Sequence, residues 1–211
     1  MGITEKGNPR KPAGKYGELM LDGMNSRHSK VTEWGLSFLH AEKDAGLLDI
    51  GCGGGATLRR LSQIAPLGLI SGLDYSDTSV QKSREYNIDL IEEGRVRVIK
   101  GSVSSMPFDS GSFDGITTVE SFYFWPEPAE DLKEVLRVLK DGASFLLIAD
   151  IYGGYDFDME TRENIRKFGL FNPTPEEFKE LLLNAGFSDA RIHLKEGTSW
   201  ICAEGMKSCG I

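Results

Sequence analysis

Apolar positions in the middle of the chain alternate between two patterns. Leu47–Ile50, Leu69–Leu73, Val96–Ile99, Phe113–Val119 and Ala143–Ala149 are short, apolar-rich runs of strand length. Between them the spacing becomes helical. Ala56–Ala65 puts Leu58, Leu61 and Ile64 on one side and stops at Pro66 and Gly68. Asp77–Glu92 predicts a helix closed by Gly94. Pro128–Leu139 predicts another, with Leu132, Val135, Leu136 and Leu139 on one face. Ala143–Ala149 is almost continuously apolar, as a central parallel strand covered on both faces should be. Strands alternating with helices predict a doubly wound, mostly parallel α/β sheet with helices on both faces.

The two ends extend this scheme. From Ser29 onward, Val31, Trp34, Phe38 and Leu39 repeat near the helical period. Residues 20–28 read as a short helix and loop, and the first fifteen residues as a loosely attached tail. Residues 1–42 therefore form a tail and helical cap, and 43–211 the core of a single domain. Downstream, Thr174-Pro175-Glu176-Glu177 has the form of a capping box with proline at the first helical position. Phe178, Leu181, Leu182 and Ala185 supply the buried stripe, and Gly186 the stop. Ala190–Leu194 and Thr198–Ala203, joined by Lys195-Glu196-Gly197, predict an antiparallel last pair. Tyr152–Pro173 reads as a long loop with Gly153-Gly154, a candidate lid.

Composition narrows the function. The 211 residues suit one domain with a full core, and no apolar run has the length needed to span a bilayer. The net charge of −8 opposes binding to nucleic acid or anionic membranes. The N-terminus lacks a signal-peptide apolar region, so a cytoplasmic location is expected. Cys52, Cys202 and Cys209 are too scattered for a zinc site or a disulfide framework, and no metal is expected.

The chemistry concentrates in Leu47-Leu-Asp-Ile-Gly-Cys-Gly-Gly-Gly-Ala56, a strand running into glycines and then into a helix. Gly51, Gly53 and Gly55 let the backbone turn sharply and approach a ligand, and the helix N-terminus favours an anionic group. Asp74, at the end of the next strand, is placed to accept both hydroxyls of a ribose. These features alone fit either a dinucleotide or an adenosyl sulfonium. Asp49 tips the balance, because a carboxylate facing the loop repels a pyrophosphate and attracts an ammonium and a sulfonium. The bland reading of Asp49 is a side chain capping loop amides.

With those residues in place, the chain resembles the class I S-adenosylmethionine-dependent methyltransferases, in particular their small-molecule, quinone-methyltransferase-like branch. Leu48–Gly55 looks like their first motif and Gly72–Ser76 like their second. Lys100–Phe108, Ser112–Ile116 and Leu132–Gly142 are similar to later segments in the same order. The resemblance implies a seven-stranded Rossmann-like sheet with an antiparallel last strand and an N-terminal helical cap. It implies that Asp49, Gly51, Cys52 and Gly53 hold the methionine part of the cofactor, Asp74 the ribose and Tyr75 the adenine, with Ser102, Val103 and Val119 completing the site. Many relatives have an acidic residue where Ser102 stands, and a hydroxyl accepts more weakly.

The implied reaction is methyl transfer from S-adenosylmethionine to a small-molecule acceptor through an O, N or C nucleophile, leaving S-adenosylhomocysteine. Glu120 and Tyr123, on the loop after the fourth strand, and His28, before the N-terminal helix, are the catalytic candidates; each has an ordinary packing or surface role as its alternative. Phe122, Phe124 and Trp125 either pack the following helix or line the acceptor site, and Tyr16, Tyr152 and Tyr155 are further candidates to line it. A monomer or homodimer is expected. Two other functions compete: an NAD(P)-dependent oxidoreductase on the same kind of sheet, and a non-catalytic S-adenosylmethionine-binding protein.

Overall fold

In the computed structural model, which describes residues 6–210, one sheet organises the chain. Its strands are β1 (Leu47–Ile50), β2 (Ile70–Asp74), β3 (Val96–Lys100), β4 (Phe113–Val119), β5 (Leu139–Ala149), β6 (Asp189–Leu194) and β7 (Ile201–Met206). They lie in the order β3-β2-β1-β4-β5-β7-β6. The β1–β5 ladders are parallel, and β7 runs antiparallel to both β5 and β6. This is the seven-stranded, doubly wound arrangement the sequence predicts. The strand order reverses between β1 and β4, the position at which open α/β sheets bind ligands.

Helices cover both faces. On one, α2 (Ser29–Leu36), α3 (Ala56–Ile64) and α4 (Asp77–Tyr86) enclose a core that includes Leu47, Leu58, Leu61, Ile70, Leu146 and Ile148. Gly35 brings α2 directly onto β5, since a Cβ there would sit 2.5 Å from Ile148. On the other face, α6 (Pro128–Val138) and α8 (Pro175–Ala185) bury Leu132, Val135, Phe178 and Leu182 against Phe145 and Leu147. The α8 capping box forms as predicted: Glu177 N donates to Thr174 Oγ1 at 3.2 Å, and Thr174 N to Glu177 Oε2 at 2.7 Å.

Several sequence expectations are corrected. The short helix and loop expected over residues 20–28 is instead part of one longer helix, α1 (Gly14–Arg27), which buries Gly17, Met20 and Leu21 and packs on α4. The segment 6–13 is not a loose tail: Gly7 and Pro12 are buried, and Pro12 O accepts from Ser76 Oγ at 2.6 Å. The single helix expected over Asp77–Glu92 breaks at Asn87 into α4 and α5 (Ile88–Glu92). The break follows from Asn87, whose Nδ2 donates to Gly55 O and to Ser83 O and so ties this corner to the glycine loop. The supposed loop 152–173 contains α7 (Met159–Phe168), held by an Asp158 N-cap and a left-handed Gly169 at its C-terminus.

Candidate functional site

A cavity of about 320 Å³ opens at the carboxyl ends of β1, β2 and β4. Gly51, Cys52, Gly53, Leu73, Asp74, Tyr75, Ser102, Val103 and Val119 line one half. Leu21 and Asn25 border the same glycine loop, Asn25 Nδ2 donating to Gly54 O at 3.1 Å, while Met24, His28, Glu120, Phe124 and Trp125 complete the lining.

The glycine loop is built for close approach. Gly51, Gly53 and Gly55 have φ of 72°, 51° and 83°, and a Cβ on Gly51 would run into Ser121 Oγ. Most of its amides are already engaged. Gly51 N and Cys52 N donate to Leu73 O at 2.7 and 3.1 Å, Gly53 N to Asp74 Oδ2 at 3.0 Å, and Gly55 N to Cys52 O at 2.9 Å. A loop whose donors are spent has little to offer a pyrophosphate, whereas its remaining carbonyls suit an ammonium. Asp74 accepts from Gly53 N and, through Oδ1, from Ser76 N at 2.9 Å. Each carboxylate oxygen keeps a lone pair, enough to accept one ribose hydroxyl apiece. Burial raises the Asp74 pKa, opposed by those same amide bonds.

Asp49 is placed differently from the rest of the predicted set. It is 1% exposed, does not line the cavity, and accepts from Thr117 Oγ1 at 2.7 Å beneath the loop. Burial pushes its pKa to about 7, with Asp74 adding to the rise. Asp49 thus acts on the loop from behind, through its field. The donor set, the spare acceptors on Asp74 and the open face at Gly53 together fit an adenosyl ligand with an amino-acid tail.

In the other half, Glu120 leaves the end of β4 with φ 54°, a left-handed conformation uncommon for such a residue. Its side chain is 7% exposed. Oε1 accepts from Asp150 N at 2.5 Å, and Oε2 from Tyr123 Oη at 3.2 Å. Tyr123 also reaches Asp150 Oδ1 at 3.4 Å. His28 Nε2 lies 3.9 Å from Glu120 Oε2 and accepts from Arg27 Nε at 3.3 Å. Burial lowers the His28 pKa to about 4 despite Asp150. Burial and the Asp150 charge drive Glu120 well above the usual carboxylate range. Tyr123 stands behind Glu120 and off the cavity wall, so it positions that carboxylate. Phe122 packs into the core against Trp125 and Phe178, whereas Phe124 and Trp125 line the cavity.

The long segment 152–173 contributes no lining residue, and neither does Tyr16. Tyr152 and Tyr155 instead pack against each other, with ring centroids 5.5 Å apart. The cover comes from the N-terminal strap. Tyr75 Oη donates to Arg10 O, and the Arg10 guanidinium lies 5.6 Å from the Phe124 ring centroid, so residues 9–12 bridge the two halves of the mouth. Sequence reasoning missed this strap, Asn25 and Asp150. Asp150 alone left a signal, an acid at the carboxyl end of a strand beside β4.

Comparison with known proteins agrees with this geometry. Residues 48–147 match the methyltransferase domain family. Over 154 residues the chain is 27% identical to the chloroplastic 2-methyl-6-phytyl-1,4-hydroquinone methyltransferase 1 of Oryza sativa subsp. japonica, covering 73% of this chain and 44% of that one. It is 26% identical over 165 residues to the cycloartenol-C-24-methyltransferase of Arabidopsis thaliana, covering 78% and 44%. The chain spans well under two thirds of the length of these relatives. Among solved structures, a chain of the Haloferax volcanii complex between the Trm112 methyltransferase activator and a methyltransferase superposes with TM-score 0.76 at 21% identity, covering 90% and 94%. The Haemonchus contortus phosphoethanolamine N-methyltransferase 2 superposes with TM-score 0.78 at 12% identity, covering 98% and 59%. Over residues 48–147 the chain is thus similar to the methyltransferase domain family, and its fold is one shared by S-adenosylmethionine-dependent methyltransferases of known structure.

Proposed function

We propose that the protein transfers the methyl group of S-adenosylmethionine to a small-molecule acceptor in the half of the cavity beyond Glu120. The observation that carries this reading is one cavity with two unlike halves. One is a glycine loop and a ribose-ready carboxylate; the other is a buried cluster of titratable groups flanked by aromatic faces.

When bound, the cofactor supplies an electrophilic methyl group. The chain's own contribution is placement and proton handling. Asp74 holds the ribose, Tyr75 and the strap enclose the adenosine side, and Val103 with the weaker acceptor Ser102 borders the adenine. Asp49, which ionises near neutral pH, favours a positively charged ligand over an anionic one once its proton is lost. Glu120 takes the proton when the acceptor has one to lose, His28 presents a neutral ring to the acceptor, and Tyr123 fixes Glu120. Closure by the strap excludes water from the transfer. Net charge −8 and a cavity of about 320 Å³ favour a small acceptor over nucleic acid.

The test is turnover. The protein is incubated with S-adenosylmethionine and a panel of small amines, phenols, thiols and alkenes, and S-adenosylhomocysteine is quantified. Acceptor-dependent product is expected, falling on the order of a hundredfold in Glu120→Gln. Turnover unchanged in Glu120→Gln would remove the acceptor half from the mechanism.

A further inference from the structure

The acceptor half has a particular electrostatic form. Glu120 is buried, and its close neighbours are Asp150, Tyr123 and the His28 ring at 3.9 Å. None of these three carries a positive charge, since burial keeps His28 neutral at physiological pH, and the nearby Arg27 guanidinium bonds His28 Nε2 at 3.3 Å from the solvent side rather than pairing with Glu120. A carboxylate held this way is costly unless a cation joins it. The adjoining wall, on the same loop, is aromatic. Phe124 already receives a cation on its face, the Arg10 guanidinium at 5.6 Å from the ring centroid. Met24 and Trp125 add an apolar surround.

We propose that the acceptor is an amine that enters as its ammonium form, with Glu120 as the anchoring carboxylate and the aromatic wall at Phe124 enclosing the charge. This rests on the methyltransferase reading above and specifies its substrate class. A hydroxyl or an alkene brings no counter-charge and leaves the buried Glu120 carboxyl holding its proton, whereas an ammonium supplies both the missing charge and donors for its oxygens. The side-chain ligand atoms of His28, Glu120 and Asp150 lie within 4.8 Å of one another, a spacing that would also admit a small metal ion. The aromatic wall and apolar surround favour an organic cation.

The step balances. The ammonium gives one N–H proton to Glu120, whose proton affinity burial has already raised. The freed nitrogen lone pair forms the N–C bond as the S–C bond of bound S-adenosylmethionine breaks, its electron pair remaining on sulfur. The products are an N-methylammonium and neutral S-adenosylhomocysteine, and Glu120 later returns its proton to solvent.

The experiment compares benzylammonium with benzyl alcohol, probes of matched shape, binding to the full chain saturated with S-adenosylhomocysteine and followed by calorimetric titration. Saturation with the homocysteine ligand is first verified by calorimetry. The expected result is benzylammonium binding tighter by roughly tenfold or more, from a charged rather than neutral hydrogen bond, with the preference lost in Glu120→Gln. Equal binding of the two probes overturns the proposal, and so does neither binding below 10 mM. Ammonium binding that appears only with added MgCl₂ and vanishes with EDTA also overturns it, in favour of a metal site. If S-adenosylhomocysteine itself does not bind, the underlying methyltransferase reading fails, and this inference with it.

Discussion

Replacing Asp49 by asparagine should stabilise the protein, and the gain should grow with pH. The change keeps the side-chain shape and leaves an amide oxygen to accept from Thr117 Oγ1, now bonded at 2.7 Å. It removes the charge and puts an NH2 group in place of the second oxygen, a change that does not vary with pH and so drops out of the comparison between two pH values. The native Asp49 carboxyl holds its proton to about pH 7, against 3.8 when unperturbed. The native state therefore binds more protons than the unfolded chain through that window, and stability falls as pH rises across it. At roughly 1.4 kcal/mol per pKa unit the full cost approaches roughly 4 kcal/mol above pH 8, the smaller part of which has already appeared at pH 5. Asp49→Asn should thus gain on the order of 2–3 kcal/mol over the wild type between pH 5 and pH 8. The titration of His28 is common to both chains and cancels in the difference. Urea unfolding at the two pH values, followed by far-UV circular dichroism, measures it. A stability difference that does not change with pH would refute the assignment of a buried, proton-retaining Asp49.

Other expectations follow from the same geometry. Asp74→Asn should keep the fold and weaken S-adenosylhomocysteine binding by roughly 10- to 100-fold, as charged acceptors for two hydroxyls are lost; calorimetric affinity within a factor of two of wild type would disprove the ribose contact. Tyr75→Phe combined with Ser76→Ala removes both hydrogen bonds to the strap and should raise the S-adenosylhomocysteine dissociation rate about tenfold, with faster amide exchange over residues 6–13. An unchanged rate would mean that the strap does not gate the cavity. Tyr123→Phe removes a bond that lowers the Glu120 pKa, so the basic group's limb in the kcat/KM profile should move to higher pH. A purely structural Tyr123 would change the rate without moving the limb.

Much of the architecture was legible because its signals are local. The apolar run Ala143–Ala149 and the stripe Leu132, Val135, Leu136 mark elements buried on defined faces. The glycine loop and Asp74 are tied to one another by chain geometry, so their pairing could be read from spacing. Helix α7 left no such trace. It buries none of its residues, and its stability comes from the Asp158 cap and Gly169 rather than from an apolar stripe. The strap was misread because its hold is tertiary: Pro12 O and Arg10 O meet Ser76 and Tyr75 from the far side of the sequence. Asp49 shows a third limit. Its position beside the loop was evident, yet the depth that makes it a proton-retaining group beneath the cavity depends on β4 and Thr117. Asp150 joins Glu120 only because β5 lies next to β4, a neighbour relation that short-range patterning does not contain.

The most direct test of the central assignment is parallel calorimetric titration of the protein with S-adenosylmethionine, S-adenosylhomocysteine and NAD⁺. Micromolar binding of both adenosyl ligands with no heat from NAD⁺ is the predicted result. Binding of NAD⁺ alone would contradict it, and would mean that the loop at Gly51–Gly55 holds a pyrophosphate after all.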